Sequence, residues 1–136
     1  MKQMEEIKVW LNAIDHIQVT SSPEAENAML FFYSQVLGLT EITKPEALQA
    51  NGGAWYLLGD IQIHVGIEKQ INNQVSRRHI CFRVHSLEAF AIHLQAHGVE
   101  NISDRQSLPE YNRFFIRDPG GNRIEIAEFA QHKTDS

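Results

Sequence analysis

Over residues 13–20 the apolar Ile17 and Val19 alternate with His16 and Gln18, a period of two that predicts a half-buried strand. The period then changes. Ala28, Met29, Phe32, Tyr33, Val36 and Leu37 recur at intervals of three and four and predict one apolar face of a helix. Ser22 stands at its N-cap, Pro23 at the first helical position, Glu24 and Glu26 in the first turn, and Gly38 at the stop. A short strand is expected over residues 39–43. After the Asn51-Gly52-Gly53 turn, residues 54–58 and 61–67 read as a strand pair across Gly59-Asp60.

The same order then returns. Residues 77–84 read as a strand, and Ser86 caps a helix with Leu87, Phe90, Ala91 and Leu94 on one face, which Gly98 stops. A short strand is expected over 99–103, and a last pair over 112–117 and 123–129 is joined by Asp118-Pro119-Gly120-Gly121-Asn122. The wording repeats as well as the order. His16 is answered by His79, Gly38 by Gly98 and His64 by Glu125, at offsets of 60 to 63 residues. That interval is too long for a solenoid unit and suits a duplicated small module. Each half is β-α-β-β-β, so the expected class is α+β with mainly antiparallel pairing. The first module spans residues 13–69 and the second 77–130, with the polar segment 70–76 as the linker. A half of about sixty residues would be marginal alone, so residues 1–136 are expected to fold as a single domain.

Composition narrows the function. Net charge is −5 with no long basic run, which argues against nucleic acid as a partner. The acidic opening, residues 1–6, carries no apolar leader and no stretch approaches a membrane span, so a cytoplasmic protein without membrane association is expected. Cys81 is the only cysteine, which excludes an intrachain disulfide framework.

Strand parity then sorts the candidate chemistry, because alternate side chains point to opposite faces of a sheet. His16 and Gln18 oppose Ile17 and Val19, and Gln62 and His64 oppose Ile61, Ile63 and Val65. His79, Cys81 and Arg83 oppose Ile80, Phe82 and Val84, while Arg123, Glu125 and Ala127 oppose Ile124 and Ile126. In each strand the apolar face suits packing on that half's helix. The other face carries an imidazole or a carboxylate. His16, His64, His79 and Glu125 together make a plausible metal-ligand set.

These residues carry a family resemblance. Asp15-His16-Ile17, the run from Tyr33 to Leu39, the run from Arg78 to Val84 and the run from Phe115 to Glu125 resemble signatures of the vicinal oxygen chelate superfamily. Its members include glyoxalase I, type I extradiol dioxygenases, fosfomycin resistance proteins and bleomycin resistance proteins. The resemblance covers residues 14–129 and implies a glyoxalase-like fold, an open sheet cup around a divalent Zn, Ni, Mn or Fe(II) ion. It implies that His16, His79 and Glu125 are ligands and that Glu125 doubles as the catalytic general base. His64 falls where glyoxalase I places a carboxylate ligand, a departure that bears on the reaction. Two imidazoles and a carboxylate would equally serve as a facial triad for non-haem iron. A Lewis-acidic metal there would take two vicinal oxygens of a small substrate and stabilise developing negative charge.

The leading activity implied is a metal-dependent lyase or isomerase of the glyoxalase type, and the two-module length favours it. An extradiol-type ring-cleaving dioxygenase and a metal-free binding protein of the bleomycin-resistance kind are the alternatives. No arginine follows Glu125, which speaks against a fosfomycin thiol transferase. Gln18, Gln62, Cys81, Arg83, Tyr111 and Arg113 are the expected substrate contacts, with loops 44–50 and 104–110 shaping the pocket. Arg117 is a further candidate for an anionic group. Trp55, Tyr56, Tyr111 and Phe115 are candidates to wall an aromatic pocket but read first as core, and His93 and His97, four apart on one helix, as solvated surface. The family relationship also implies a homodimer, with the metal site either in a cup within one chain or shared, His16 and His64 of one chain then facing His79 and Glu125 of the other.

Overall fold

The computed structural model describes residues 10–103 and 111–129. Two four-stranded sheets are built from eight strands: β1 His16–Ser21, β2 Thr40–Ile42, β3 Ala54–Leu58, β4 Ile61–Ile67, β5 His79–Arg83, β6 Ile102–Ser103, β7 Tyr111–Arg117 and β8 Arg123–Phe129. The helices are α1, Glu26–Phe31, and α2, Leu87–Ala96. Strand order is β1-β4-β3-β2 in one sheet and β5-β8-β7-β6 in the other, so the duplication expected from sequence is a duplication of topology. Pairing is antiparallel within β2-β3-β4 and β6-β7-β8, while β1-β4 and β5-β8 are parallel. The helix between each first strand and the rest makes the crossover that a parallel pair requires. The class is α+β, two tandem β-α-β-β-β modules of the glyoxalase-like fold.

The two modules share one core. Met29, Phe32, Tyr33 and Val36 from the first helical segment and Leu94 from α2 are buried together with Tyr56, Ile63, Val65, Phe114, Ile116, Ile124 and Ile126 from both sheets. Ile63, Val65, Ile124 and Ile126 lie on the apolar strand faces that parity assigned, and burying each such side chain contributes roughly 1.5–3 kcal/mol. Further bonds tie one module to the other. The Tyr33 hydroxyl donates to Asp118 Oδ2 at 2.7 Å, and Asn122 Nδ2 donates to Thr20 O at 2.9 Å.

The first helix departs from expectation. Residues Pro23–Ala25 form a 3₁₀ turn and Phe32–Val36 a π turn, with Leu37 N donating to Phe32 O at 2.8 Å. Ser34 Oγ donates to Leu30 O at 2.7 Å, and Tyr56 Oη donates to the same carbonyl at 3.3 Å. Hydroxyls thus occupy the carbonyl that an α-helix would offer to the Ser34 amide, and the turn widens. Ala28, assigned to the apolar face, is exposed. Ser22 occupies the cap position without a side-chain cap bond, whereas Ser86 Oγ accepts from Ala89 N at 3.0 Å as expected.

Segment 70–76 is more than a connector. Asn73 is buried, and its Nδ2 donates to Thr20 O at 2.9 Å and Gly120 O at 3.0 Å, pinning the end of β1 to the β7–β8 turn. His93 is likewise more than solvated surface, because its Nε2 lies 2.8 Å from Val36 O of the other module. The opening residues 1–6 and the expected pocket loop 104–110 lie outside the described residues. Among the described residues no helix is long and apolar enough to cross a membrane.

Candidate functional site

The first module brings His16 and His64 together. Neighbouring strands β1 and β4 pair Gln18 with His64, and β3 places Trp55 opposite His64. The imidazole of His64 is sandwiched, with Trp55 at 3.7 Å between ring centroids on one side and His16 at 4.1 Å on the other, all nearly parallel. His64 is buried, which lowers its pKa, and the neighbouring His16 adds to that direction. Its Nε2 lies 2.8 Å from Gln62 Oε1. A carboxamide oxygen only accepts, so that nitrogen donates and Nδ1 is left as the basic one. His16 is arranged the other way round. Its Nδ1 meets Asp15 Oδ2 at 2.8 Å, which leaves Nε2 to face outward.

The second module brings His79 to Glu125 in the equivalent place, with His79 Nε2 3.1 Å from Glu125 Oε1. Arg113 Nη1 donates to Glu125 Oε2 at 3.2 Å. Glu125 is 4% exposed and the His79 side chain 33%, so the carboxylate forms the floor and the imidazole the rim. His79 Nδ1 lies 3.1 Å from Arg77 O, and a carbonyl can only accept. The proton of a neutral ring therefore sits on Nδ1, and the Nε2 lone pair aims at the Glu125 carboxylate. Two electron pairs facing each other call for a proton or a cation between them. An imidazole tethered through Nδ1 to an oxygen and presenting Nε2 is the usual posture of a metal ligand, and His16 shares it. The donor set thus fits a borderline divalent ion.

The expected substrate contacts divide. Gln18 lies over Gly66, whose missing side chain leaves room for its amide. Gln62 is committed to His64 rather than to the pocket. Cys81 pairs with Glu125 across the strands, and its thiol is pushed up to about 11, first by burial and then by that carboxylate, so a reactive thiolate is disfavoured. Tyr111 stacks on Phe129 at 4.3 Å and its hydroxyl is raised above its ordinary range by burial and then by Glu125. Arg83 lies 4.6 Å over Phe129. Arg117 is spent on structure, its Nη1 donating to Gly121 O at 2.9 Å and Asn73 O at 3.4 Å.

Three further residues contribute, although none was an expected substrate contact. Trp55, read first as core, is the outer plate of the His64 stack, and Phe115 sits edge-on to His79 at 5.7 Å. Arg123 lies 4.0 Å over the Phe115 ring. The signal was available in the register, since Trp55 opposes His64 and Phe115 opposes Glu125.

The two pairs do not meet within one chain. Among the described residues no group of three or more His, Cys, Asp or Glu side chains converges to hold a metal. A cavity of about 620 Å3 lies instead on the helix side, between Phe31 and Ile102, away from both pairs.

Paired modules with a histidine on each first strand and a histidine or carboxylate beside it define the vicinal oxygen chelate class. The comparisons agree. The sequence profile of the Glyoxalase/Bleomycin resistance protein/Dioxygenase superfamily matches residues 13–126, and the chain belongs to that superfamily. A glyoxalase family protein from Bacillus anthracis is 36% identical, with 91% of this chain and 100% of that one covered and a TM-score of 0.82. A variant of the fosfomycin resistance protein FosX from Listeria monocytogenes, complexed with Mn(II) and 1S,2S-dihydroxypropylphosphonic acid, is 17% identical over 90% of this chain and 96% of its own, at a TM-score of 0.75. Lactoylglutathione lyase from Agrobacterium tumefaciens is 20% identical over 87% and 94% of the two chains, at 0.64. At such identities the last two share the fold alone. No curated protein matches the chain in sequence.

Proposed function

We propose that the protein is a divalent-metal-dependent enzyme of the glyoxalase kind, a lyase or isomerase acting on a small vicinal-oxygen substrate such as an α-oxo or hydroxy-carbonyl compound. The observation that carries this reading is the His79–Glu125 pair, whose tautomer is set by Arg77 O so that a lone pair faces a carboxylate. His16, His79 and Glu125 would hold the ion, and His64 could join through Nδ1. Once bound, the metal would supply Lewis acidity to two adjacent substrate oxygens. Glu125 is the group placed to take a proton from the substrate carbon. Arg113 steadies its Oε2, so the carboxylate keeps one orientation while Oε1 works.

The site is proposed to be shared between two copies of the chain. Both sheets contribute apolar faces to one core, and among the described residues β1 and β5 each stand at an edge of their sheet, which supports a site completed by a second copy. In a symmetric dimer His16 and His64 of one chain would meet His79 and Glu125 of the other. The two modules and the linker then act as a single domain.

A second reading is an extradiol-type dioxygenase. It is favoured by the commitment of His64 Nε2 to Gln62, which leaves two imidazoles and a carboxylate as the principal donors.

The test is metal analysis of the purified protein beside His79→Ala and Glu125→Ala, followed by assays with a methylglyoxal–thiol hemithioacetal and with a catechol under oxygen. Divalent metal in the wild type, lost in both variants, with turnover of the hemithioacetal, is the expected result. Failure of the wild type to take up any divalent ion would sink the enzyme reading. Sharing is tested by mixing His16→Ala and Glu125→Ala subunits. Mixed dimers, about half of a freely exchanged population, would each regain one intact site, whereas sites within one chain would regain none.

A further inference from the structure

The second module carries arginines at register positions where the first has none. In the paired registers His79 opposes Arg123 where His16 opposes Gln62, and Arg83 opposes Ala127 where Thr20 opposes Gly66. Arg113, opposite Ala127 on β7, falls where the first module has Gly53 before β3. A chain of net charge −5 thus gathers three arginines on one half of its candidate site.

Their partners differ. Arg113 is engaged by Glu125 at 3.2 Å, and Arg83 lies over Phe129. Arg123 is half-buried, with its guanidinium carbon 4.0 Å from the Phe115 ring centroid, and among the described residues no oxygen accepts from it. Contact with the ring holds the guanidinium in place and leaves its N–H donors available to a ligand. Taking such a group partly out of water without an acceptor is costly, unless something that binds there provides one. The same Phe115 ring that carries Arg123 also abuts His79, so this guanidinium borders the proposed metal ligands.

We infer that Arg123 is the binding residue for a carboxylate on the substrate, which makes the preferred substrate an anionic vicinal-oxygen compound rather than a neutral one. The paired N–H donors of one guanidinium match the two oxygens of a planar carboxylate. A dianionic phosphate group would call on further cations, and the nearest, Arg113, is already paired with Glu125. The inference rests on the proposed function for the vicinal oxygens and on Arg123 alone for the carboxylate.

The experiment compares two probes that carry the same vicinal oxygens and differ by one carboxylate, 3,4-dihydroxybenzoate and catechol. Binding is measured by calorimetry under anaerobic conditions, with and without Zn(II), on wild type, Arg123→Gln and Arg123→Lys, each checked for folding by its melting curve. Glutamine is the residue at the equivalent place of the first module. In wild type the carboxylate probe should bind about 10- to 100-fold more tightly than catechol, the range expected for a charge-assisted pair. That preference should vanish in Arg123→Gln and return in part in Arg123→Lys, while catechol binding stays unchanged. An undiminished preference in Arg123→Gln, or no preference in folded wild type, would overturn the inference. If Zn(II) changes neither affinity but the Arg123-dependent preference remains, the metal reading fails and the carboxylate site stands.

Discussion

Replacing Tyr33 by phenylalanine removes one oxygen from the seam between the modules and little else. The ring is fully buried, and its hydroxyl donates at 2.7 Å to Asp118, itself 4% exposed. Asp118 keeps its other donors, since Oδ1 still accepts from Gly120 N and Asn122 N at 2.9 Å, so the carboxylate is not orphaned. The loss is one charge-assisted hydrogen bond, about 1.5–3 kcal/mol, or roughly 5–10 °C in melting temperature for a chain of this size. Tyr56→Phe is the control. Its hydroxyl makes a longer bond to a neutral carbonyl, Leu30 O at 3.3 Å, worth about 0.5–1.5 kcal/mol.

Alkaline pH provides a second readout. Burial first, and then the charge and hydrogen bond of Asp118, raise the Tyr33 hydroxyl well above its ordinary 10.0. A raised folded-state pKa contributes stability that is complete below the unfolded value and is lost as pH rises towards the folded one. Wild-type stability should therefore fall by about 1.4 kcal/mol per pH unit above pH 10 through this group. Tyr33→Phe lacks that slope, so the gap between the two proteins should narrow as pH rises. Urea melts at pH 7 and in steps above pH 10 measure both effects. A Tyr33→Phe cost no larger than that of Tyr56→Phe, or a gap independent of pH, would refute the reasoning.

Asn73→Ala deprives Thr20 O and Gly120 O of a shared donor and should cost about 2–3 kcal/mol by urea denaturation; an unchanged midpoint would show that segment 70–76 is a mere connector. Gly53→Ala should destabilise by roughly 3 kcal/mol or more, because its φ is +79° and a Cβ there would lie 2.0 Å from Val65 O. Gly38→Ala, at φ +76° with nothing within 4 Å, should cost only about 1–2 kcal/mol, and equal costs in the two melts would contradict the close approach. On the proposed function, Zn(II) at about a hundred times its Kd should add about 2.7 kcal/mol to wild-type stability. The gain should be far smaller in His79→Ala, and a thermal shift equal in both would remove His79 from the ligand set.

Much of this architecture was legible because period two is a strong signal. Residues 54–58, 61–67 and 123–129 form strands at the bounds that alternation and turn residues gave, and α2 starts at the serine cap. The faces that parity assigned to Ile63 and His64, or to Ile124 and Glu125, follow from pleat alone. The misses have a common cause. Whether Trp55 packs in a core or stacks on His64 depends on cross-strand register, which one strand's pattern cannot encode. The π turn depends on hydroxyls of Ser34 and Tyr56 meeting at one carbonyl, and the role of Asn73 depends on two segments distant in sequence. Arg123 was read only as a polar-face residue, because nothing local distinguishes a solvated arginine from one laid over Phe115.

The duplication is therefore conserved in backbone and divided in chemistry. Where the first module places His64, it surrounds it with rings and an amide, Trp55, His16 and Gln62, and burial there disfavours the imidazolium. Where the second places Glu125, it surrounds it with His79 and Arg113 and adds Arg123 alongside. A symmetric pairing of two such chains would set the ring-lined half of each against the arginine-bearing half of the other. Substrate held between them would meet an aromatic wall on one side and the base on the other, with the arginines on the base's side. The orientation of the substrate would then follow from its own charge: the end bearing negative charge turns towards the second module, and the carbon that loses a proton is carried to Glu125 with it.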